Sequence, residues 1–124
     1  LLQRSADGLW GNMWEFPGTV VEQGDPEAAL LRFMNSLGLS AEILAPLGQV
    51  QHGYTNHKLT ARFFRIETDP PLTMNDISVR LGDLPHRFVP WKRTGDLAMP
   101  AHHRKMAERY FHSKPRKKAE QLPL

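Results

Sequence analysis

Apolar positions along the chain change period several times, and each change marks an element. Leu30, Phe33, Met34 and Leu37 fall at i, i+3, i+4 and i+7, the stripe of an amphipathic helix. Asp25 stands before it as an N-cap, Pro26 takes the first helical position, and Glu27 favours the positive end of the helix dipole. Gly38 closes the helix as a left-handed cap, with Leu39 placed to pack back on the last turn. A helix is therefore predicted over residues 26–37. Further on, Leu59, Ala61 and Phe63 alternate with Lys58, Thr60 and Arg62, which predicts a half-buried strand over residues 58–66. Residues 41–50 alternate loosely around Pro46 and Gly48 and predict strand pieces near Ile43 and Val50.

Shorter signals fill the remainder. Residues 1–4 read as a strand, residues 5–8 as a turn, and the β-branched run at 19–22 as another strand. Residues 67–76, rich in Thr, Asp and Pro, predict a surface loop, while residues 77–84 have no decisive period. Residues 87–91 read as a last strand, 92–97 as one helical turn, and Pro100 opens a helix with Met106, Ala107, Tyr110 and Phe111 on its apolar side. Between the first two strands lies a stretch punctuated by Gly8, Gly11 and Gly18 and loaded with Trp10, Met13, Trp14 and Phe16. Glycines permit close backbone approach and aromatics bury large areas, so this is a bent, partly buried loop with Trp10 and Trp14 as core residues.

With 124 residues the chain makes one domain with a modest core. It has no run of 18 apolar residues and no signal-peptide pattern, so we expect a cytoplasmic protein. The absence of cysteine excludes a disulfide framework, a thiolate zinc site and an iron–sulfur cluster on this chain. The net charge of +3 is unevenly spread: from His102 onward seven Lys/Arg face two acids, giving +5 there and −2 elsewhere. That asymmetry suits either a polyanion partner or a solvated tail, and residues 113–124 read as a basic disordered tail after a domain at 1–112. The first residues, without an initiator Met, read as a strand already under way, hence as a piece of a longer polypeptide.

The Gly-rich loop, acidic turn and capped helix ending in Gly38-Leu39 resemble the Nudix box, G-x5-E-x7-R-E-U-x-E-E-x-G-U. Gly18 matches its first glycine, Asp25 its first acid with one extra residue between, and Arg32 its arginine. In that family the glutamates after the arginine bind magnesium and activate water against a diphosphate. Counted forward from Arg32, their places hold Phe33, Ser36 and Leu37; counted back from Gly38, they hold Arg32, Asn35 and Ser36. Magnesium needs oxygen ligands, usually carboxylates, and neither register supplies one on the helix. The resemblance implies an α/β (α+β) fold, a Nudix-like mixed, mostly antiparallel sheet with the first helix on one side and the last on the other. It argues against the hydrolysis.

Three more stretches resemble the C-terminal domain of A/G-specific adenine DNA glycosylases, the MutY family. Leu2-Gln3-Arg4 with Gly8-Leu9-Trp10-Gly11 and Trp14-Glu15-Phe16-Pro17-Gly18 is similar to that family's L-L-x-Q-R…G-L-x-G-x-W-E-F-P-G. Residues 49–60, around His52-Gly53-Tyr54-Thr55-Asn56-His57, resemble its H-x-F-S-H-x-x-L segment, and Phe88-Val89-Pro90-Trp91 with residues 97–106 resembles its ending. In that family this domain clamps DNA and checks that the base opposite the target adenine is 8-oxoguanine. A separate N-terminal domain with an iron–sulfur cluster removes the adenine. The resemblance therefore implies no catalytic residue and no cofactor here, although the parent protein is a glycosylase. Its partners would be double-stranded DNA containing 8-oxoguanine:adenine and the N-terminal glycosylase domain, with the chain a monomer.

By resemblance Thr55 sits at the serine of F-S-H and contacts 8-oxoguanine. Tyr54 takes the aromatic place, and Asn56 replaces the histidine. A hydroxyl can accept a hydrogen bond from N7–H, which 8-oxoguanine has and guanine lacks. Taken alone, Gly53 and Asn56 are also ordinary turn residues. Arg104, Lys105 and Arg109, with the cluster at 114–118, are candidate phosphate contacts or a solvated face. Glu15, Glu22 and Asp25 suit turn and capping roles better than a cation, and the spacings of His52/His57 and His102/His103 do not make a metal site. Two rival readings stand beside the reader domain: a divergent Nudix hydrolase acting on oxidised nucleotides, and a protein-interaction module.

Overall fold

The computed structural model describes residues 1–54 and 56–113. In order these form β1 (Leu2–Gln3), β2 (Trp14–Glu15), α1 (Pro26–Ser36), β3 (Ala41–Tyr54), β4 (His57–Thr68), α2 (Met74–Leu81), a 3-10 helix (Trp91–Asp96) and α3 (Ala101–Ser113). β1 pairs with β2 and β3 with β4, both antiparallel. The helices and antiparallel strands make the Nudix-like α+β arrangement that the sequence implies; among the described residues every strand pair is antiparallel. No described helix is long and apolar enough to cross a membrane.

α1 begins and ends where its caps dictate. The Glu27 amide donates to Asp25 Oδ1 at 3.1 Å. At the other end Gly38, at φ 84°, donates to the Asn35 carbonyl at 2.9 Å and Leu39 to that of Met34 at 3.0 Å. This is the six-to-one and five-to-two pair of a glycine-terminated helix, and it folds Leu39 into the core.

Three expectations need correction. Residues 19–22 form no strand: none of the described strands pairs with them, and Val20 is almost fully exposed. A β-branched run becomes a strand only beside a partner, and the partner here lies beside Trp14–Glu15 instead. Residues 87–91 are not a strand either. The chain there makes an isolated bridge from His86 to Leu2, with the Arg87 amide on the Leu1 carbonyl at 2.9 Å and the Leu1 ammonium on the Arg87 carbonyl at 2.7 Å, and no continuous ladder among the described residues. The pieces expected at Ile43 and Val50 are a single strand with register shifts between Ile43 and Ala45 and between Pro46 and Gly48. Irregular pairing is where a sheet tolerates proline, which has no amide to donate.

α2 replaces part of the expected loop and the undecided segment after it. Thr73 Oγ1 accepts from the Asp76 amide at 3.0 Å, and Asp76 Oδ2 accepts from the Thr73 amide at 3.2 Å. That reciprocal box starts a helix despite the weak apolar period, and Gly82 follows its end. The 3-10 turn and the helix after Pro100 stand where the sequence puts them.

The β3–β4 hairpin organises the packing. Near its turn the inward positions of β4 are Leu59, Ala61 and Phe63; toward its far end they are Phe64, Ile66 and Thr68. Successive strand residues face opposite sides, so the covered face switches at Phe63, opposite the irregular part of β3. α3 covers the first face: Met106 packs with Val50 and Phe63, flanked by Phe16, Leu47 and Ala61. On the second, Ile66 and Thr68 line an apolar cleft with Met34, Leu37 and Leu39 around α1. Burying each large side chain of this kind contributes about 1.5–3 kcal/mol.

Candidate functional site

The aromatic loop is coiled tightly against β3 near the turn end of the hairpin. Trp10 and Asn12 hold left-handed backbones, φ 57° and 63°. Gly11 between them lies so close to the Ala6 carbonyl oxygen that an added Cβ would sit 2.5 Å from it. The loop is pinned by the Arg4 amide on the Met13 carbonyl, 2.8 Å, and the Asn12 amide on that of Arg4, 3.2 Å. From inside, the Arg4 guanidinium donates to the Leu9 carbonyl and to Glu15 Oε1, both at 2.8 Å, and lies 5.5 Å from the centre of the Trp10 ring.

Trp10 thereby meets the other two stretches that carry the family resemblance. Its ring centre is 5.7 Å from that of His52 on β3 and 5.0 Å from that of His102 on α3, and the two histidines are 5.1 Å apart. His103 lies 4.6 Å from His102 and stacks on Phe16 at 5.6 Å. The Phe16 amide donates to His103 Nδ1 at 3.1 Å, which puts the ring proton on Nε2, 3.9 Å from Glu15 Oε1. Burial, then His102 and Arg4, push His103 down to about 3; burial, then His52 and Arg4, push His102 down to about 4. Both rings are neutral near pH 7, as an acceptor at Nδ1 of His103 requires. Among the described residues His102 Nδ1 is buried without a hydrogen-bond partner.

Spacing along one element does not reveal this histidine cluster, because it joins β3 to α3. The signal lay in two elements at once: His52 shares its strand face with Val50, and His102 lies one helical turn before Met106. Val50 and Met106 touch in the core, which brings their neighbours together. Among the described residues no group of three or more His, Asp or Glu is placed to hold a metal ion.

The residues expected to meet the base follow His52 along the hairpin. Tyr54 ends β3, Asn56 is an exposed turn residue, and Thr55 lies outside the described residues. The hairpin itself is as the turn residues suggest, with Tyr54 opposite His57. The phosphate candidates on α3 differ from one another. Arg104 donates to the carbonyls of Gly95 and Leu97, closing the end of the 3-10 helix on α3, and Arg109 donates to the Gln49 carbonyl at 3.2 Å. Lys105 is exposed. The cluster at 114–118 and the expected tail lie outside the described residues, and α3 continues to Ser113, past the expected domain end.

The Nudix positions on α1 carry no acid in either register. Arg32, Asn35 and Ser36 are exposed, Phe33 and Leu37 are half-buried, and Ser36 Oγ donates to the Phe33 carbonyl at 2.6 Å. Of the nearby carboxylates, Glu15 is paired with Arg4 and Asp25 caps the helix.

A family model described as NUDIX domain matches residues 1–109. An 8-oxo-dGTP diphosphatase of Proteus vulgaris is 33% identical over 87 residues, which span 68% of this chain and 78% of that protein. With its antiparallel strands, its Gly38-capped helix and this match over most of its length, the chain belongs to the Nudix family.

Proposed function

We propose that this domain recognises 8-oxoguanine in DNA, as the C-terminal domain of a MutY-type adenine glycosylase in base excision repair. The observation that carries the reading is α1, where every place a Nudix glutamate would take holds Arg, Phe, Asn, Ser or Leu. A Nudix frame without those acids keeps the surface that binds an oxidised purine and loses the ligands that hold magnesium for hydrolysis. The packing of Trp10, His52 and His102 supports it further, because it holds β3 just before the turn that carries Tyr54, Thr55 and Asn56. The Proteus vulgaris relative is named for a nucleotide that carries the same damaged base.

In this reading the Thr55 hydroxyl accepts from N7–H of 8-oxoguanine. Guanine offers an acceptor there, and a free hydroxyl would rotate and donate to it, so the reading requires the Thr55 hydroxyl proton to be engaged within the loop. The two facing acceptors then stay unpaired and cost about 1–3 kcal/mol, roughly ten- to a hundredfold in affinity. Removal of the adenine, and the iron–sulfur cluster, belong to a separate glycosylase domain. The test is Thr55→Ala, read as the ratio of affinities for duplexes with 8-oxoguanine and with guanine opposite adenine. The ratio is expected to fall toward one; an unchanged ratio removes Thr55 from the role.

A second reading, a divergent Nudix hydrolase of oxidised nucleotides, is favoured by the activity named for the relative. It requires magnesium-dependent release of pyrophosphate from 8-oxo-dGTP, which the first reading expects to be absent.

A further inference from the structure

Because α3 and α1 cover opposite faces of the hairpin at opposite ends, two areas of the ribbon are left open by the described residues, and their chemistry differs. Near the turn, on the face away from α3, the register sets Gln49 beside Arg62, Gln51 beside Thr60 and Gly53 beside Lys58. All six are exposed, and no acid lies among them. The other open area lies at the far end on the α3 side. There Glu42 stands directly opposite Glu67, with Arg65 two residues along β4. Like charges opposite one another weaken a ribbon, so nothing in strand pairing itself favours this segregation.

We propose that the area formed by Gln49, Gln51, Lys58, Thr60 and Arg62 tracks the phosphate backbone of duplex DNA. The proposal rests on the reading of the hairpin turn as a lesion reader, since the same two strands would then run from the damaged base to its flanking phosphates. Lys58 and Arg62 lie about 14 Å apart along an extended strand. That matches the rise of about four nucleotides of one DNA strand. The amides and the hydroxyl between them donate to phosphate oxygens without reading sequence. With no side chain, Gly53 lets a backbone approach closely. The area holds no large apolar or aromatic anchor of the kind that centres a protein–protein interface, so its chemistry favours a polyanion. The acidic area on the reverse repels phosphate and sets which side of the ribbon faces the DNA. On α3, by contrast, Arg104 and Arg109 already serve backbone carbonyls.

The test compares the chain with K58Q/R62Q and with R65Q, by titrating fluorescent duplexes, undamaged and carrying 8-oxoguanine opposite adenine, over a range of salt. All three positions are exposed, and R65Q removes a charge from the opposite face. Each lost phosphate contact lowers the slope of log K against log salt by about 0.9, so K58Q/R62Q should lose about 1.8 on both duplexes. R65Q should leave the slope in place. The proposal is overturned if K58Q/R62Q keeps the parental slope, if R65Q loses as much per charge, or if the parental chain binds neither duplex at low salt. A slope loss with no preference for the damaged duplex keeps this surface and removes the lesion reading. A preference for the damaged duplex with no slope loss does the reverse.

Discussion

His103 accepts a hydrogen bond from the Phe16 backbone, so the ring must be neutral at Nδ1 for β2 to leave the aromatic loop in its observed direction. Its folded-state pKa, about 3, and that of His102, about 4, lie below the 6.5 of an unfolded histidine. A group whose pKa is depressed on folding binds fewer protons folded than unfolded, so its contribution is complete above about pH 6.5 and is lost as pH falls. Stability should therefore decline between about pH 6.5 and pH 3, before most carboxylates have finished titrating. Thermal unfolding at stepped pH checks this. His102→Phe, which removes one of the two titrations and the unpartnered Nδ1, should flatten the decline; an equally steep one would mean His102 is not part of it. Sequence reading reached single residues well where the chemistry is local. Asp25 and Gly38 act as caps because a cap depends on neighbours within four positions. It missed the role of His102, whose neighbours Trp10 and His52 are distant in the chain.

Elements followed the same division. α1 was legible from its stripe and caps, and β4 from its alternation. Residues 19–22 looked like a strand and are not, because strand formation is decided by a partner that no local pattern names. α2 was hidden by a weak apolar period, although Thr73 and Asp76 carried the capping signal. Among these elements α3 is the one that fixes the hairpin, and Met106 is its anchor, about 1% exposed between Val50 and Phe63. Met106→Ala should cost about 2–5 kcal/mol through the cavity it leaves. Chemical denaturation measures that as a lower midpoint with unchanged slope. A cost below about 1 kcal/mol would place the anchor elsewhere, since only a site that collapses fully avoids the cavity term.

At the scale of the described residues, a two-stranded ribbon is clasped by a helix on each face, with the aromatic loop packed through Trp10 against His52 of β3. That plan explains why three separate stretches of the chain resemble one family: they meet at the Trp10, His52 and His102 contact. It also separates two tasks that a Nudix enzyme combines. In the proposed reading the face that binds an oxidised base is kept, while α1 has no acid at the places where Nudix glutamates would hold magnesium. On that reading the domain selects by binding, with the selectivity that one or two hydrogen bonds supply. The most direct measurement is the affinity of this chain for two duplexes that differ only in 8-oxoguanine or guanine opposite adenine. The account predicts tighter binding of the damaged duplex by roughly ten- to a hundredfold. Equal affinity for the two would contradict it.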